Sequence, residues 1–190
     1  ARAARGLGHR VTLCLGPVPE PEAPGIRVKR FGSALELRHM VLGELVRHDI
    51  LIMAAAVSDY RPAKYSRIKI KKTGLSMILK LTRNPDIITE ASRRFRGRGK
   101  MLVGFAAETH RLGTYALRKL KEKNIPLIIA NRVDRDKKGF SSDLNDTLIF
   151  RQGDRMPVAR LKGRKDAIAK KILRLALKEY DNLLHQKTRS

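Results

Sequence analysis

Apolar residues fall in short runs along this chain, separated by polar stretches rich in Gly, Pro and charge. Some runs are compact or alternate every second residue, as in strands; others return every three or four residues, as on one helix face. Residues 1–5 read as the end of a helix, with Gly6 and Gly8 as stop signals. Residues 11–15, VTLCL, predict a buried strand. Gly16-Pro17 and the Pro- and Glu-containing stretch to Gly25 predict a loop. Residues 26–31 alternate apolar and basic positions, which predicts a strand nearer a sheet edge. Ser33 then opens a helix. Glu36 stands three residues later, the spacing of a capping box, and Leu35, Met40, Leu42 and Leu45 supply much of an apolar face.

The clearest strand is residues 49–57, which ends in small side chains. A polar, basic loop is expected over 58–72 and a short strand over 76–81. Asn84-Pro85-Asp86 has the form of a helix start: a cap, a proline in the first helical position and an acid in the first turn. That helix runs to about residue 95, and the Gly-broken basic tract 93–100 reads as a surface turn. A buried strand over 101–106, a basic helix over 114–123 and a strand over 127–131 follow. After a polar loop over 132–145, residues 146–151 and 156–161 predict a hairpin. A last helix over 164–184 carries Ile168, Ile172, Leu175 and Leu183 on its apolar face. This alternation implies one α/β domain over residues 1–190: a Rossmann-like, mostly parallel sheet with helices on both faces. Ligands of such sheets bind beyond the carboxyl ends of the strands, which directs attention to the segments after Val57, Leu81, Ala106 and Asn131.

Composition narrows the class without choosing a function. A chain of 190 residues with 42% hydrophobic content has enough material for a real core and is not a disordered polyelectrolyte. The longest apolar run, residues 50–57, falls far short of the ~20 residues of a membrane span, so no membrane association is expected. No apolar signal segment follows the first residues. A single cysteine, Cys14, excludes an internal disulfide and a Cys-rich zinc site, so a reducing, cytoplasmic compartment is expected. The net charge of +24, from 42 Lys+Arg against 18 Asp+Glu, attracts polyanions: nucleic acid, anionic membrane or small phosphorylated ligands. Aromatic content of 5% and the absence of Trp weigh against a binder that stacks bases on rings.

The candidate chemistry sits at the strand ends. In AAAVSDYRPA, residues 54–63, small side chains let a planar base approach the backbone, and Asp59 just beyond can accept from ribose hydroxyls. A tightly packed strand followed by a solvated Asp is an equal alternative. KIKK, residues 69–72, either neutralises a triphosphate or is a solvated loop. The helix start after Thr82 offers backbone N–H groups to an anion, or is simply a well-capped helix. In VGFAAET, residues 103–109, Phe105 lies against a base or belongs to the core, and Glu108 is polar at the same rim. Lys119 and Lys123, four residues apart, share a helix face toward phosphate or water. None of the five histidines has a metal-ligand partner at helical spacing.

Each element is weak alone; the specificity is in their order. HRVTLCLGPV, DILIMAAAVSDYRPA, KIKK, NPDI, VGFAAET, the spaced lysines of YALRKLKEK, LIIAN and GFSSDLN together resemble phosphopantothenoylcysteine synthetases, the ligase domain of bifunctional coenzyme A biosynthesis proteins. The resemblance reaches from residue 1 to about 181, with ungapped spacing from Asp59 through Lys123. It implies a CTP-dependent phosphopantothenate–cysteine ligase. The 4′-phosphopantothenate carboxylate attacks the α-phosphate of CTP, giving an acyl-cytidylate and pyrophosphate, and the cysteine amine then displaces CMP. Mg²⁺ accompanies the triphosphate, and its protein ligands are not assigned. By resemblance, Met53, Ala54 and Ala55 line the nucleotide and Asp59 holds the ribose. Lys69, given the catalytic role, contacts the triphosphate from a mobile loop. Asn84, Pro85, Asp86, Ile87 and Phe105 contact the nucleotide, with Lys119 and Lys123 nearby. GFAAET and KIKK resemble the CTP-using bacterial branch rather than the ATP-using eukaryotic one.

Family members carry a strand and a Gly-rich phosphate loop with a catalytic Asn ahead of the segment that opens here, so the chain is expected to lack them, along with the decarboxylase usually fused upstream. The resemblance also implies a homodimer formed through a small protruding sheet, with contacts in the regions after Ser58 and after Asn131. The competing reading is a basic Rossmann-like module that binds nucleic acid or other polyanions without catalysis. Under the ligase reading, nucleic acid is attracted only non-specifically.

Overall fold

The structure is a computed structural model of the chain, and it describes residues 1–18, 24–72, 74–108, 111–132 and 144–188. Its centre is a five-stranded sheet in the order β3-β6-β7-β8-β9, formed by Ile50–Met53, Met101–Glu108, Leu127–Arg132, Leu144–Arg151 and Ala159–Arg164. The first three strands are parallel, and β8 and β9 continue the sheet antiparallel as a hairpin. The chain is therefore α/β with a mixed sheet whose first half is parallel.

Side-chain alternation divides the two faces, as strand period requires. From β6, Leu102 and Ala106 enter a core with Ile128 and Ala130 of β7, beneath helices α2 (Ala34–Glu44), α3 (Ile87–Arg94) and α4 (Leu112–Lys123). Met101 and Val103 enter the opposite core with Leu127 and Ile129, covered by Ile168, Ile172 and Ala176 of α5 (Lys165–Thr188). Helices thus lie on both faces. Gly104 lets the layer on the α3–α4 side pack close: a Cβ there would stand 2.7 Å from the Ile125 side chain and 3.3 Å from that of Ile88. The buried Thr147 hydroxyl donates to the Asn131 side-chain oxygen at 2.7 Å, which satisfies it inside the sheet.

Two smaller sheets flank this layer. β1 (Thr12–Leu15) and β2 (Arg27–Arg30) form a parallel pair that is not hydrogen-bonded to the five strands. The pair meets them through α2 and α3: Cys14 and Phe31 pack on Leu37, Val41 and Ile87, which also receive Leu51 and Met53. β4 (Tyr60–Pro62) and β5 (Leu81–Arg83) form a short antiparallel ribbon. A five-residue helix, α1 (Arg2–Gly6), precedes β1, and a 3-10 turn, Leu45–Arg47, links α2 to β3. Among the described residues no helix is long and apolar enough to cross a membrane.

Several boundaries differ from the sequence reading. The expected strand over 76–81 is only Leu81–Arg83, and its partner Tyr60–Pro62 lies inside the segment read as a loop. Residues 63–80 are exposed wherever described, so their apolar side chains had no second layer on which to form a strand. The strand expected over 49–57 stops at Met53, beyond which Ala54, Ala55 and Ala56 are exposed. The capping box at Ser33 and Glu36 forms as expected, with Ser33 Oγ accepting from the Glu36 N–H and Glu36 returning to the Gly32 N–H. The buried stripe of α2 is Leu37, Val41 and Leu42, continued by Leu45; Leu35 is exposed and Met40 only half-buried. The motif GFSSDLN begins outside the described residues; its last two members open β8.

Candidate functional site

Strands β3 and β6 run parallel in register, so both carboxyl ends emerge at one rim, with Met53 beside Gly104. Met53 is half-buried against the α2–α3 side, while Ala54 and Ala55 are exposed. That leaves a stretch of backbone with no bulky side chain to keep a flat ring away. Val57 returns to the same apolar cluster, and Asp59 follows on an exposed turn.

The ribbon β4–β5 folds Asn84 back onto that turn. The Asn84 backbone N–H donates to the Asp59 carbonyl at 2.8 Å, and its side-chain Nδ2 donates to the Ser58 carbonyl at 2.8 Å. Arg61 donates to the Asn84 Oδ1 at 3.1 Å and to the Arg83 carbonyl at 2.7 Å. The Asn84 amide therefore braces the Asp59 turn instead of capping a helix. The cap is Asp86, whose side chain accepts from the Thr89 N–H at 3.2 Å, and α3 begins at Ile87. This corrects the expected start at Asn84: the chain is still held to the ribbon there and turns into helix only afterwards. Arg61 is the residue that sequence reasoning passed over. Its one signal was position, two residues beyond the Asp and beside an edge proline.

Two ion pairs close the rim on the α4 side. Lys123 binds the second oxygen of Asp86, and Lys119, one turn earlier, donates to Glu108 Oε1 at 2.6 Å. Burial alone raises the Asp86 carboxyl, but hydrogen bonds from Lys123 and the Thr89 N–H outweigh it and hold it below the usual range. The lysines that sequence left between phosphate and water are thus held by carboxylates at the ends of β6 and the start of α3.

The remaining candidates are placed differently. Pro85 is half-buried beside Asp86. The Ile87 side chain is 3% exposed and packs with Leu37 and Val41, so only its backbone is open to a ligand. Phe105 packs with the α5-side core, across the sheet from Asp86, Lys119 and Lys123. Lys69 is exposed between β4 and β5, and no hydrogen bond or ion pair ties it to the rim among the described residues. The structure therefore gathers Met53, Ala54, Ala55, Asp59, Asn84, Asp86 and Lys123 along one rim, with Glu108–Lys119 beside them. Phe105 and Lys69 stand apart. Among the described residues no group of three or more His, Cys, Asp or Glu side chains is placed to hold a metal ion.

A family model described as the C-terminal domain of the DNA/pantothenate metabolism flavoprotein matches residues 1–180. The chain belongs to this family. Among curated relatives, the coenzyme A biosynthesis bifunctional protein CoaBC of Vibrio vulnificus (strain CMCP6) is 42% identical over 158 residues, 82% of this chain and 39% of that protein. CoaBC of Escherichia coli (strain K12) is 36% identical over 186 residues, 95% of this chain and 45% of that protein. The chain thus spans less than half the length of these relatives. Among solved structures, the C-terminal domain of a CoaBC superposes with a TM-score of 0.70 at 25% identity, covering 94% of this chain and 79% of that one. The DNA/pantothenate metabolism flavoprotein of Streptococcus pneumoniae gives 0.72 at 18% identity, covering 94% and 85%. A Cab2 variant in complex with phosphopantothenate-cysteine gives 0.66 at 17% identity, covering 86% and 56%. At those last two identities the likeness is one of fold. The comparisons account for the α/β architecture.

Proposed function

We propose that this chain is the ligase part of a coenzyme A biosynthesis protein that joins 4′-phosphopantothenate to cysteine, with CTP as the activating nucleotide. The observation that carries this reading is the rim where Ala54, Ala55, the Asp59 turn, the start of α3 and Lys123 meet, in a chain 42% identical to a CoaBC protein. The exposed alanines accept the base, and Asp59 receives the ribose hydroxyls. The first-turn N–H groups of α3 face the anion.

Phosphoryl chemistry at the α-phosphate needs charge neutralisation more than a strong base. Lys119 and Lys123 supply it by exchanging their carboxylate partners for phosphate oxygens, and Lys69 joins them from its exposed segment. Mg²⁺ enters as the triphosphate's own counter-ion, held mainly by phosphate oxygens. The substrate carboxylate attacks the α-phosphate, pyrophosphate leaves, and the cysteine amine displaces CMP from the acyl-cytidylate. A homodimer belongs to the same proposal. The segment between β4 and β5 exposes Tyr65, Ile68, Ile70, Leu75, Met77 and Ile78, an apolar surface suited to a second copy. A cytoplasmic setting fits these substrates.

The test is titration calorimetry with Mg²⁺. CTP is expected to bind at least tenfold more tightly than ATP, and Asp59→Ala and Lys69→Ala are each expected to weaken it about tenfold, or ~1.4 kcal/mol. Equal affinity for the two nucleotides, unmoved by both substitutions, would overturn the reading.

A further inference from the structure

The net charge of +24 is far larger than a rim with three candidate lysines uses, two of them already paired with carboxylates. Part of the excess is concentrated at the opposite end of the sheet. Arg93, Arg94, Arg96, Arg98 and Lys100 fall within eight residues that run from the last turn of α3 to the residue before β6. The candidate nucleotide rim lies beyond the far ends of β3 and β6, and the two regions come nearest at the end of α4, where Lys123 reaches Asp86 and the next residue, Asn124, borders the groove beside the tract.

This tract is shaped, not merely charged. Phe95 is 4% exposed and anchors it in the core. Gly97 and Gly99 both take left-handed backbone, at φ +71° and +69°, and the Arg98 N–H donates to the Phe95 carbonyl at 3.1 Å. Side chains other than Gly pay for such backbone in strain, so the two glycines fold the tract into a compact knuckle. The arginines alternate with them and are exposed. The guanidiniums of Arg94 and Arg98 lie 5.8 and 5.9 Å from the Phe95 ring centre, which limits their freedom before any partner arrives.

The nearby carboxylates are already engaged: Glu90 by Arg38, and Asp49 by Lys100 at 3.8 Å. Arg93, Arg96 and Arg98 have no carboxylate partner among the described residues. Beside the knuckle runs an open groove of about 420 Å³, with Arg96, Lys100, Asn124 and Gln152 around an apolar floor that includes Leu102, Pro126 and Leu183. It meets a second of about 540 Å³ at Gln152, bordered by Asn182, His185 and the Arg151–Glu179 ion pair, whose charges offset each other. Guanidiniums match phosphate oxygens, and amide side chains match the polar edges of sugars and bases. An anionic membrane fits less well, because the one large apolar side chain of the tract, Phe95, is buried and has nothing to insert.

We propose that the Arg93–Lys100 knuckle and its groove bind the phosphodiester backbone of nucleic acid, independently of the nucleotide rim. The contacts are to phosphate, so binding depends on salt and hardly on sequence. The test is fluorescence anisotropy with a labelled single-stranded RNA and a labelled DNA duplex across a salt series. Three proteins are compared: the parent chain, R93Q/R96Q/R98Q, and K170Q/K171Q/R174Q, which removes the same charge from exposed positions of α5.

The parent is expected to bind with Kd on the order of 1–100 µM at physiological salt. The arginine triple is expected to lose at least tenfold in affinity and about 2–3 in the slope of log K against log salt, with melting temperature and CTP affinity unchanged. The α5 triple is expected to stay within about twofold of the parent. If the arginine triple folds poorly, Arg96→Glu, a single exposed change, is expected to give the same direction of loss. Equal losses in the two triples would place the attraction over the whole surface and overturn the proposal. So would capture by phosphatidylserine vesicles without nucleic-acid binding. Failure of CTP to bind leaves this proposal standing, and loss of nucleic-acid binding leaves the ligase reading standing.

Discussion

Strand β7 and residues 63–80 carry similar aliphatic side chains and meet opposite fates. Ile128 and Ile129 of β7 are 0% exposed, whereas Ile68 and Ile78 are 81% and 98% exposed. The difference is in what surrounds them. β7 has hydrogen-bonded strands on both sides, β6 and β8, and helical layers on both faces. Residues 63–80 join the two strands of the β4–β5 ribbon, and each described one is exposed. Aliphatic content therefore does not decide burial. A strand is buried when a partner strand and a covering layer both exist, and an apolar segment that lacks them marks a surface for something else.

The contrast breaks most sharply with one chemical change made in both regions. Ile128→Ala is expected to destabilise the fold by about 2–5 kcal/mol, because the site is closed on every side and collapses poorly. Ile78→Ala is expected to stay within ~0.5 kcal/mol. Chemical denaturation of both variants reads the difference, and comparable losses would mean that residues 63–80 pack against the body in solution.

A second change asks whether the exposed side chains have a partner. Leu75→Ser with Ile78→Ser is expected to weaken self-association at least tenfold, or about 1.4 kcal/mol, while leaving the unfolding of the monomer unchanged. Sedimentation over a concentration series measures it; an unaltered monomer–dimer balance would remove the segment from the interface.

A smaller effect is expected where the two regions join. Asp86→Ala removes the α3 cap and the partner of Lys123, and is expected to cost about 1 kcal/mol. Its pH dependence has a definite sign. The Asp86 carboxyl is held below its ordinary value in the folded state. Its stabilisation is therefore present above the unfolded Asp pKa of about 3.9 and is lost as pH falls through the lower folded value. Asp86→Asn keeps a capping oxygen, so it is expected to flatten stability in that acid window more than it lowers it near neutrality. Denaturant midpoints between neutral and acid pH would show this, and an unchanged profile would mean that the Lys123 contact contributes nothing in solution.

The smallest change in stability is expected from Lys69→Ala, within ~0.5 kcal/mol, since the side chain is exposed and unpaired among the described residues. Any loss of CTP affinity in that variant then belongs to the nucleotide contact and not to the fold.

Most of the central layer was legible because its signals are local and redundant. Residues 101–106 and 127–131 are compact apolar runs, and the helices around them carry caps, as α2 and α3 do, or periodic apolar faces. The order of motifs at the strand ends also held enough information to resemble the family that the chain belongs to. The errors came where a residue's role depends on a distant partner. Asn84 looks like a cap because Asn before Pro usually is one, but here Ser58 and Arg61 claim both ends of its amide. Phe105 was open between base contact and core, and strand parity packs it on the α5 side. Arg61 sits inside the motif AAAVSDYRPA without a role legible in it, since what it does is hold a distant neighbour, Asn84.

The sequence by itself determined the α/β class, the strands and helices of the layered core, the capping box at Ser33 and the set of strand ends where polar residues collect. These follow from side-chain periodicity and near-neighbour hydrogen bonding, which act over a few residues. Only the tertiary structure decided that β1 and β2 pair apart from the main sheet, that Asp86 and not Asn84 caps α3, and that Lys119 and Lys123 are held by Glu108 and Asp86. It also placed the arginine-rich tract 93–100 at the end of the sheet opposite the candidate nucleotide rim. Each of these depends on which distant strand, carbonyl or carboxylate lies within about 3 Å, the reach of a hydrogen bond, and the spacing of residues along the chain does not encode that distance.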